Sequence, residues 1–275
     1  MIEFLENLSY IERLFVLLSI SLIVWNIEVI YAFKPISDKR KHLFENIKFI
    51  TLGIPAQLVM GSVLNLSLEF NDKNLFGLIE WFSIKNNWIN LIVSFLLLDF
   101  FEYIYHIFMH KFRPFWVFHL VHHSEQKLDI STILREHPIE TIIRLSFTTL
   151  WVLITGVHFW MYVVRQLIQV ISNLLAHGNF RLTNNADKIV SLLFVTPNMH
   201  HVHHHFKLPH TDSNYGDVLS IWDRLFGTYK KINANHLVFG IDTEMCANKI
   251  YDFKTIIMLP FKHLNSKPET INTNE

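Results

Sequence analysis

Four blocks of this chain, 11–33, about 47–68, 89–109 and 139–176, are predominantly apolar. Blocks of that length constrain the fold more than any other feature. In hydrocarbon every backbone N–H and C=O must be satisfied internally, which leaves helices or closed barrels. About 20 apolar residues in a helix cover a bilayer core of roughly 30 Å. The expected fold is therefore all-α, a multi-pass membrane helical bundle of about four membrane helices. A cytoplasmic, helical, His-rich domain is expected to cap it. The last block holds Gly156 near its middle. It can form two short helices that dip in and return, a re-entrant hairpin, or one crossing plus an interfacial helix.

Charge sets the expected orientation. The 34–48 loop carries Lys34, Lys39, Arg40, Lys41 and Lys48, whereas 69–88 carries only Lys73 and Lys85. By the positive-inside rule the first loop is cytoplasmic. The third helix then re-enters the cytoplasm at His106–His110. The N-terminus lacks a positive n-region and a cleavage site, so the first block is expected to be an anchor. Lys+Arg and Asp+Glu both number 24, and Cys246 is the single cysteine. That excludes a basic excess for nucleic acid, an intramolecular disulfide and a Cys-x-x-Cys metal site.

Histidines gather where the membrane segments end. His106 and His110 stand at i and i+4, and His119, His122 and His123 at i, i+3 and i+4. A second triplet follows at His200, His203 and His204. On a helix such spacings share one face. With 17 His in the chain, a given His-x-x-His-His arises by chance about 0.06 times. His177 closes an i, i+4 pair with Asn173. Nine imidazoles and the Asn173 amide make ten candidate metal ligands, too many for one ion and about right for two. His201, His204 and His205 also satisfy the triplet spacing, so spacing alone leaves that register open. An all-imidazole set suits zinc, copper, iron or nickel.

The third helix places Asp99 and Glu102 on the face of His106 and His110. Carboxylates inside a membrane helix are costly, and both are expected to brace a ligating imidazole through its other nitrogen. The alternative is an interhelical hydrogen bond without a metal role. Asp223 is read either as orienting an imidazole or as a helix cap. The isolated His42, His158, His210, His236 and His263 are read as surface or packing residues.

The motifs His106-x3-His110, His119-x2-His122-His123 and Pro197-x2-His200-x2-His203-His204 resemble the fatty acid hydroxylase / sterol desaturase superfamily. So do Arg135-x-His137-Pro138-x-Glu140, Asn214-Tyr215-Gly216 and the run Trp222 to Tyr229. The resemblance covers about 90–230. It implies a cytoplasm-facing, histidine-bound centre of two Fe ions that activates O2 as co-substrate. It favours the register His200, His203 and His204, and it leaves His137 as either a ligand or a residue behind one. The expected division is 1–88 as N-terminal anchor helices, 89–235 as the di-iron catalytic domain and 236–275 as a cytoplasmic tail.

The function this implies is hydroxylation of a lipid C–H bond: fatty acyl, sterol or alkyl-lipid. A desaturase using the same centre is the alternative, with a membrane zinc hydrolase or metal transporter behind it. A zinc hydrolase needs only three or four ligands, and a transporter would spread its ligands along a membrane pathway. The lipid is expected to enter from the bilayer. The chain has no Gly-x-Gly-x-x-Gly and no cysteine cluster, so a separate donor must supply electrons: a cytochrome b5-like protein, a ferredoxin or a reductase. The expected location is the bacterial inner membrane or the endoplasmic reticulum.

Overall fold

A computed structural model describes residues 10–82, 86–244 and 252–265. Among the described residues the chain is helical, and its extended pairing is confined to two isolated bridges, Phe194 with Leu219 and His205 with Phe239. The long helices are α1 (Tyr10–Ile30), α2 (Lys39–Asn74), a short α3 (Leu78–Trp81) and α4 (Asn87–Lys111). Next come α5 (Arg113–His123), α6 (Pro138–Thr155) and α7 (Phe159–His177). Five short helices complete the set: α8 (Asn184–Val190), α9 (Pro197–His203), α10 (Ile221–Leu225), α11 (Phe253–Ile257) and α12 (Leu259–Asn265).

Local chemistry starts these helices. Asp38 caps α2 by accepting from Lys41 N at 3.0 Å, and the Asn86 side chain accepts from Trp88 N and Ile89 N to open α4. Proline stands in the first turn of α5, α6 and α9, where a missing N–H costs nothing. Gly156 ends α6 in the left-handed region.

Three stretches are long and apolar enough to cross a membrane: Lys39–Trp81, Asn87–Lys111 and Pro138–Thr155. A shorter apolar helix runs from Leu14 to Ile30. Helix α2 runs unbroken through Gly53, Pro55 and Gly61. Pro55 removes one backbone donor, a loss that a packed membrane helix tolerates. The 139–176 block forms two helices, α6 and α7, joined at Gly156–His158.

Contacts between helix ends give the direction of each. Asn71 Nδ2 donates to Val152 O and Val157 O, joining the C-terminal ends of α2 and α6. At the opposite end Asn46 Nδ2 donates to Ser131 Oγ, and Phe33 N donates to Asn179 O. Helices α2 and α6 therefore leave the histidine end, while α1, α4 and α7 arrive there. Far from the histidines, Leu64, Leu68, Leu98, Leu145, Val152 and Met161 form one buried cluster. Helix α2 shares this cluster with α4, α6 and α7. The described part of the tail packs back too: Leu259 and Ile241 bury Leu120 of α5.

A buried polar lattice stiffens the histidine end. Glu28 accepts from Ile130 N and Asn179 N and pairs with Lys39. Arg135 donates to Val121 O, Ser124 Oγ and Glu125 Oε2. That guanidinium fixes the C-terminal end of α5, where His122 and His123 stand.

Candidate metal centre

Nine histidines from four helices meet in two groups. His106, His110, His119, His123 and His203 form the first, and His122, His177, His200 and His204 the second. Within each group the candidate ligand atoms lie within 4.8 Å of one another. Each triplet is divided by the same rule. The i, i+4 members, His119 with His123 on α5 and His200 with His204 at α9, enter one group. The i+3 member, His122 or His203, enters the other. The groups abut, with the His123 and His204 rings stacked at 4.6 Å between centroids.

Ring nitrogens on the outer side are engaged. His106 Nδ1 lies 2.9 Å from Tyr215 O, His203 Nδ1 2.7 Å from Ser213 O, and His177 Nδ1 2.9 Å from Asn173 O. His119 Nδ1 lies 2.6 Å from Glu140 Oε1, and His110 Nδ1 3.3 Å from Asp212 Oδ1. A carbonyl can only accept, so in His106, His203 and His177 the proton sits on Nδ1 and Nε2 faces inward as a bare lone pair.

The inner nitrogens fit a metal better than they fit one another. Among the described residues His110 Nε2, His119 Nε2, His203 Nε2 and both nitrogens of His123 are buried without a partner. Each such group left empty costs about 1–3 kcal/mol. In the second group His177 Nε2 lies 3.1 Å from His122 Nε2 and 3.0 Å from His200 Nε2, and His204 Nε2 lies 3.1 Å from His200 Nε2. Because His177 Nε2 is bare, His200 must spend its one proton there and has no lone pair for His204. A cation removes that conflict, since it takes a lone pair from every ring.

Electrostatics point the same way. Burial lowers the proton affinity of His119 to about 3. Burial, reinforced by neighbouring imidazoles, pushes His122, His123, His200, His203 and His204 well below the usual range. Neutral imidazole is the ligating form.

The two groups take in His200, His203 and His204 of the last histidine run, and neither His201 nor His205. His201 turns away, its Nε2 3.0 Å from Gly178 O, and His205 Nδ1 accepts from Val238 N. Asn173 stands beside the second group: its side-chain nitrogen Nδ2 donates to Asp217 Oδ1 at 2.8 Å while its backbone carbonyl takes His177 Nδ1.

The carboxylates behave differently from their reading on α4. Asp99 is fully buried but accepts from Val218 N, Leu219 N and Trp222 Nε1. It pins the 218–222 turn instead of bracing an imidazole. Glu102 faces Arg165 at 3.6 Å, across to α7, again not an imidazole. Helical spacing places a side chain on a face but does not say what approaches that face. His137 caps α6, its Nδ1 accepting from Ile139 N at 3.1 Å, and it stands outside both groups. Asp223 accepts from Tyr215 N, Gly216 N and Thr228 Oγ1. It reaches the centre indirectly, by holding the turn whose Tyr215 carbonyl takes His106.

Two bracing carboxylates, Glu140 and Asp212, were not singled out by spacing. Glu140 stands in the Arg135-x-His137-Pro138-x-Glu140 motif, so a signal existed. Asp212 had none, and the carbonyls of Ser213 and Tyr215 carry no side-chain identity to read.

Comparison with known proteins follows this geometry. A family model described as fatty acid hydroxylase matches residues 91–228. Ornithine lipid hydroxylase OlsE of Rhizobium tropici is 27% identical over 139 residues, 50% of this chain and 41% of its own. Alkylglycerol monooxygenase of Homo sapiens is 30% identical over 152 residues, 54% of this chain and 32% of its own. The enzyme of that name from Danio rerio is 28% identical over 190 residues, 67% of this chain and 40% of its own. The chain therefore spans less than half the length of these relatives. No solved structure matches it. The family match takes in half of the chain, and every histidine of the two groups lies inside it; the chain belongs to the fatty acid hydroxylase family.

Proposed function

We propose that this chain is a membrane-bound, O2-dependent, non-haem di-iron oxygenase that hydroxylates a lipid C–H bond. The observation that carries the reading is the convergence of nine inward-facing imidazoles into two adjoining groups of five and four. Iron bound there supplies O2 activation and oxidation of an unactivated C–H bond. The metal set comprises His106, His110, His119, His123 and His203 on one side and His122, His177, His200 and His204 on the other. Asn173 is proposed to orient His177 through its backbone carbonyl.

The chain's own residues hold, orient and dry the centre. Glu140, Asp212 and the carbonyls of Tyr215, Ser213 and Asn173 keep the outer proton on Nδ1, so that Nε2 is the ligating atom. Tyr215, buried against the rings of His106, His110 and His203, keeps bulk water away. Helices α2, α4 and α6 present apolar side chains such as Leu58, Ile92 and Leu150 outward, which suits an acyl chain arriving from the bilayer. Electrons come from a separate carrier or reductase. The clustering of Lys34, Lys39, Arg40, Lys41 and Lys48 at the histidine end supports a cytoplasmic centre.

The relatives' names, ornithine lipid hydroxylase and alkylglycerol monooxygenase, favour hydroxylation over desaturation. Nine imidazoles exceed the three or four ligands of a zinc hydrolase. The test is metal analysis of anaerobically purified protein together with lipid mass spectrometry of expressing cells. Iron and the gain of one oxygen atom on a host lipid are expected. The loss of two hydrogens would make the chain a desaturase. Zinc with neither change, in cells given iron, reductant and candidate lipids, would overturn the reading.

A further inference from the structure

Behind α9, on the side away from the metal groups, lies a cavity of about 350 Å³. Met199 and Val202 of α9, residues of α8 and the 229–232 segment line it. Four cations line it, Arg181, Lys188, Lys230 and Lys231, against one carboxylate, Asp187. That carboxylate accepts from Thr196 Oγ1 at 2.6 Å and leaves the lining with a cationic excess. Arg181 Nη1 is buried without a partner among the described residues. No residue proposed to hold or brace the metal lines this cavity.

A second observation says what the cations face. Immediately after Lys188 the chain exposes Ile189, Leu192, Leu193 and Phe194, at 70, 62, 47 and 47%. Leu225 and Phe226 join them at 65 and 57%. Arg224 ties the two segments by donating to Ser191 O, and its guanidinium lies 4.0 Å over the Tyr229 ring on the cavity wall. Phe226 in turn stacks on Phe100 and Tyr103 of the membrane helix α4, at 5.8 and 5.7 Å. The exposed apolar patch is thus anchored on the membrane helix α4. Apolar side chains dipping into the acyl boundary, beside cations at headgroup depth, are the physical pattern of an anionic-lipid interface.

We infer that this cavity binds the phosphate headgroup of an anionic membrane lipid, with residues 189–194 and 225–226 seated in the bilayer interface beneath it. Charge complementarity and anchorage on α4 favour a lipid over an acidic protein, which would have no use for the exposed Ile189 and Leu192. The inference rests on the chain's membrane fold and does not depend on the oxygenase reading.

The test uses full-length protein in nanodiscs and in detergent, with retained lipids counted by native mass spectrometry. Wild-type protein should retain phosphatidylglycerol over phosphatidylcholine. The variant Lys188→Ala/Lys230→Ala/Lys231→Ala should lose that preference by about 100-fold, on the order of fivefold per cation removed. Lys73→Ala, on the far side of the bundle, should keep it, and circular dichroism and metal content should confirm that the triple variant is folded. Equal retention of the two lipids by wild type, or an unchanged preference in the triple variant, overturns the inference. Displacement of the lipid by millimolar inorganic phosphate would show a free-anion site and overturn it as well. Loss of binding to an acidic cytochrome b5 by the triple variant, with lipid preference intact, would reassign the cavity to protein docking.

Discussion

Glu140 Oε1 lies 2.6 Å from His119 Nδ1, across 21 residues of chain and from one helix to another. That contact sets which nitrogen of His119 faces the first histidine group, and its partner comes from the first turn of α6, not from the helix that carries the histidines. Removing an outer partner of this kind typically costs 10–100-fold in metal affinity or activity. Glu140→Ala is expected to lose metal to a chelator about 10–100-fold more readily than wild type. Glu140→Gln should be milder, because its amide oxygen can still accept from Nδ1–H. Chelator competition on detergent-solubilised protein checks this, and wild-type retention by Glu140→Ala would refute it.

The register of the last triplet gives a second test. His200 Nε2 points at His177, whereas His201 Nε2 bonds Gly178 O. His200→Ala should remove metal and activity while leaving membrane insertion intact, and His201→Ala should retain both. Metal stoichiometry of the two purified variants decides. A silent His200→Ala beside a metal-free His201→Ala would reverse the assignment.

Acid should unfold the metal-free chain early. Burial holds His119 near 3 and His122, His123, His200, His203 and His204 well below the ordinary range. The unfolded chain takes up those protons at about pH 6.5, and the folded chain does not. The unfolded state therefore binds more protons below about pH 6.5, and stability falls as pH falls. Each group adds a slope of about 1.4 kcal/mol per pH unit. Thermal unfolding of chelator-stripped protein from about pH 8 to about pH 5 should show a steep decline below pH 6.5. A flat profile would mean that the rings are already protonated or hydrated.

At the opposite end of the bundle, Gly156 has φ +72° and a Cβ there would stand 1.9 Å from Phe76 O. The left-handed backbone alone costs a non-glycine residue about 1–2 kcal/mol, and the backbone collision adds to it. Gly156→Ala should lower the unfolding midpoint clearly while leaving metal content at low temperature unchanged, since α6 meets the histidine end at its other terminus. Loss of metal without loss of stability would contradict this.

The sequence made some of this legible for a physical reason. An i, i+4 pair of imidazoles declares its own face, so the histidines that meet were readable before any fold was known. The apolar blocks announced the membrane helices in the same way. Which triplet member serves which group was not readable, because it depends on how α5 and α9 are turned toward each other. Asp99 illustrates the limit. It shares a face with His106 and His110, yet the 218–222 turn occupies the space in front of it and claims both oxygens. The bracing carbonyls of Ser213 and Tyr215 could not be read at all, for main-chain oxygens have no letter.

Helices α4 and α7 each serve one histidine group, whereas α5 and α9 each feed both. A small twist of either helix carries rings out of place in both halves together. Tolerance at these two helices is shared between the halves, and so is vulnerability.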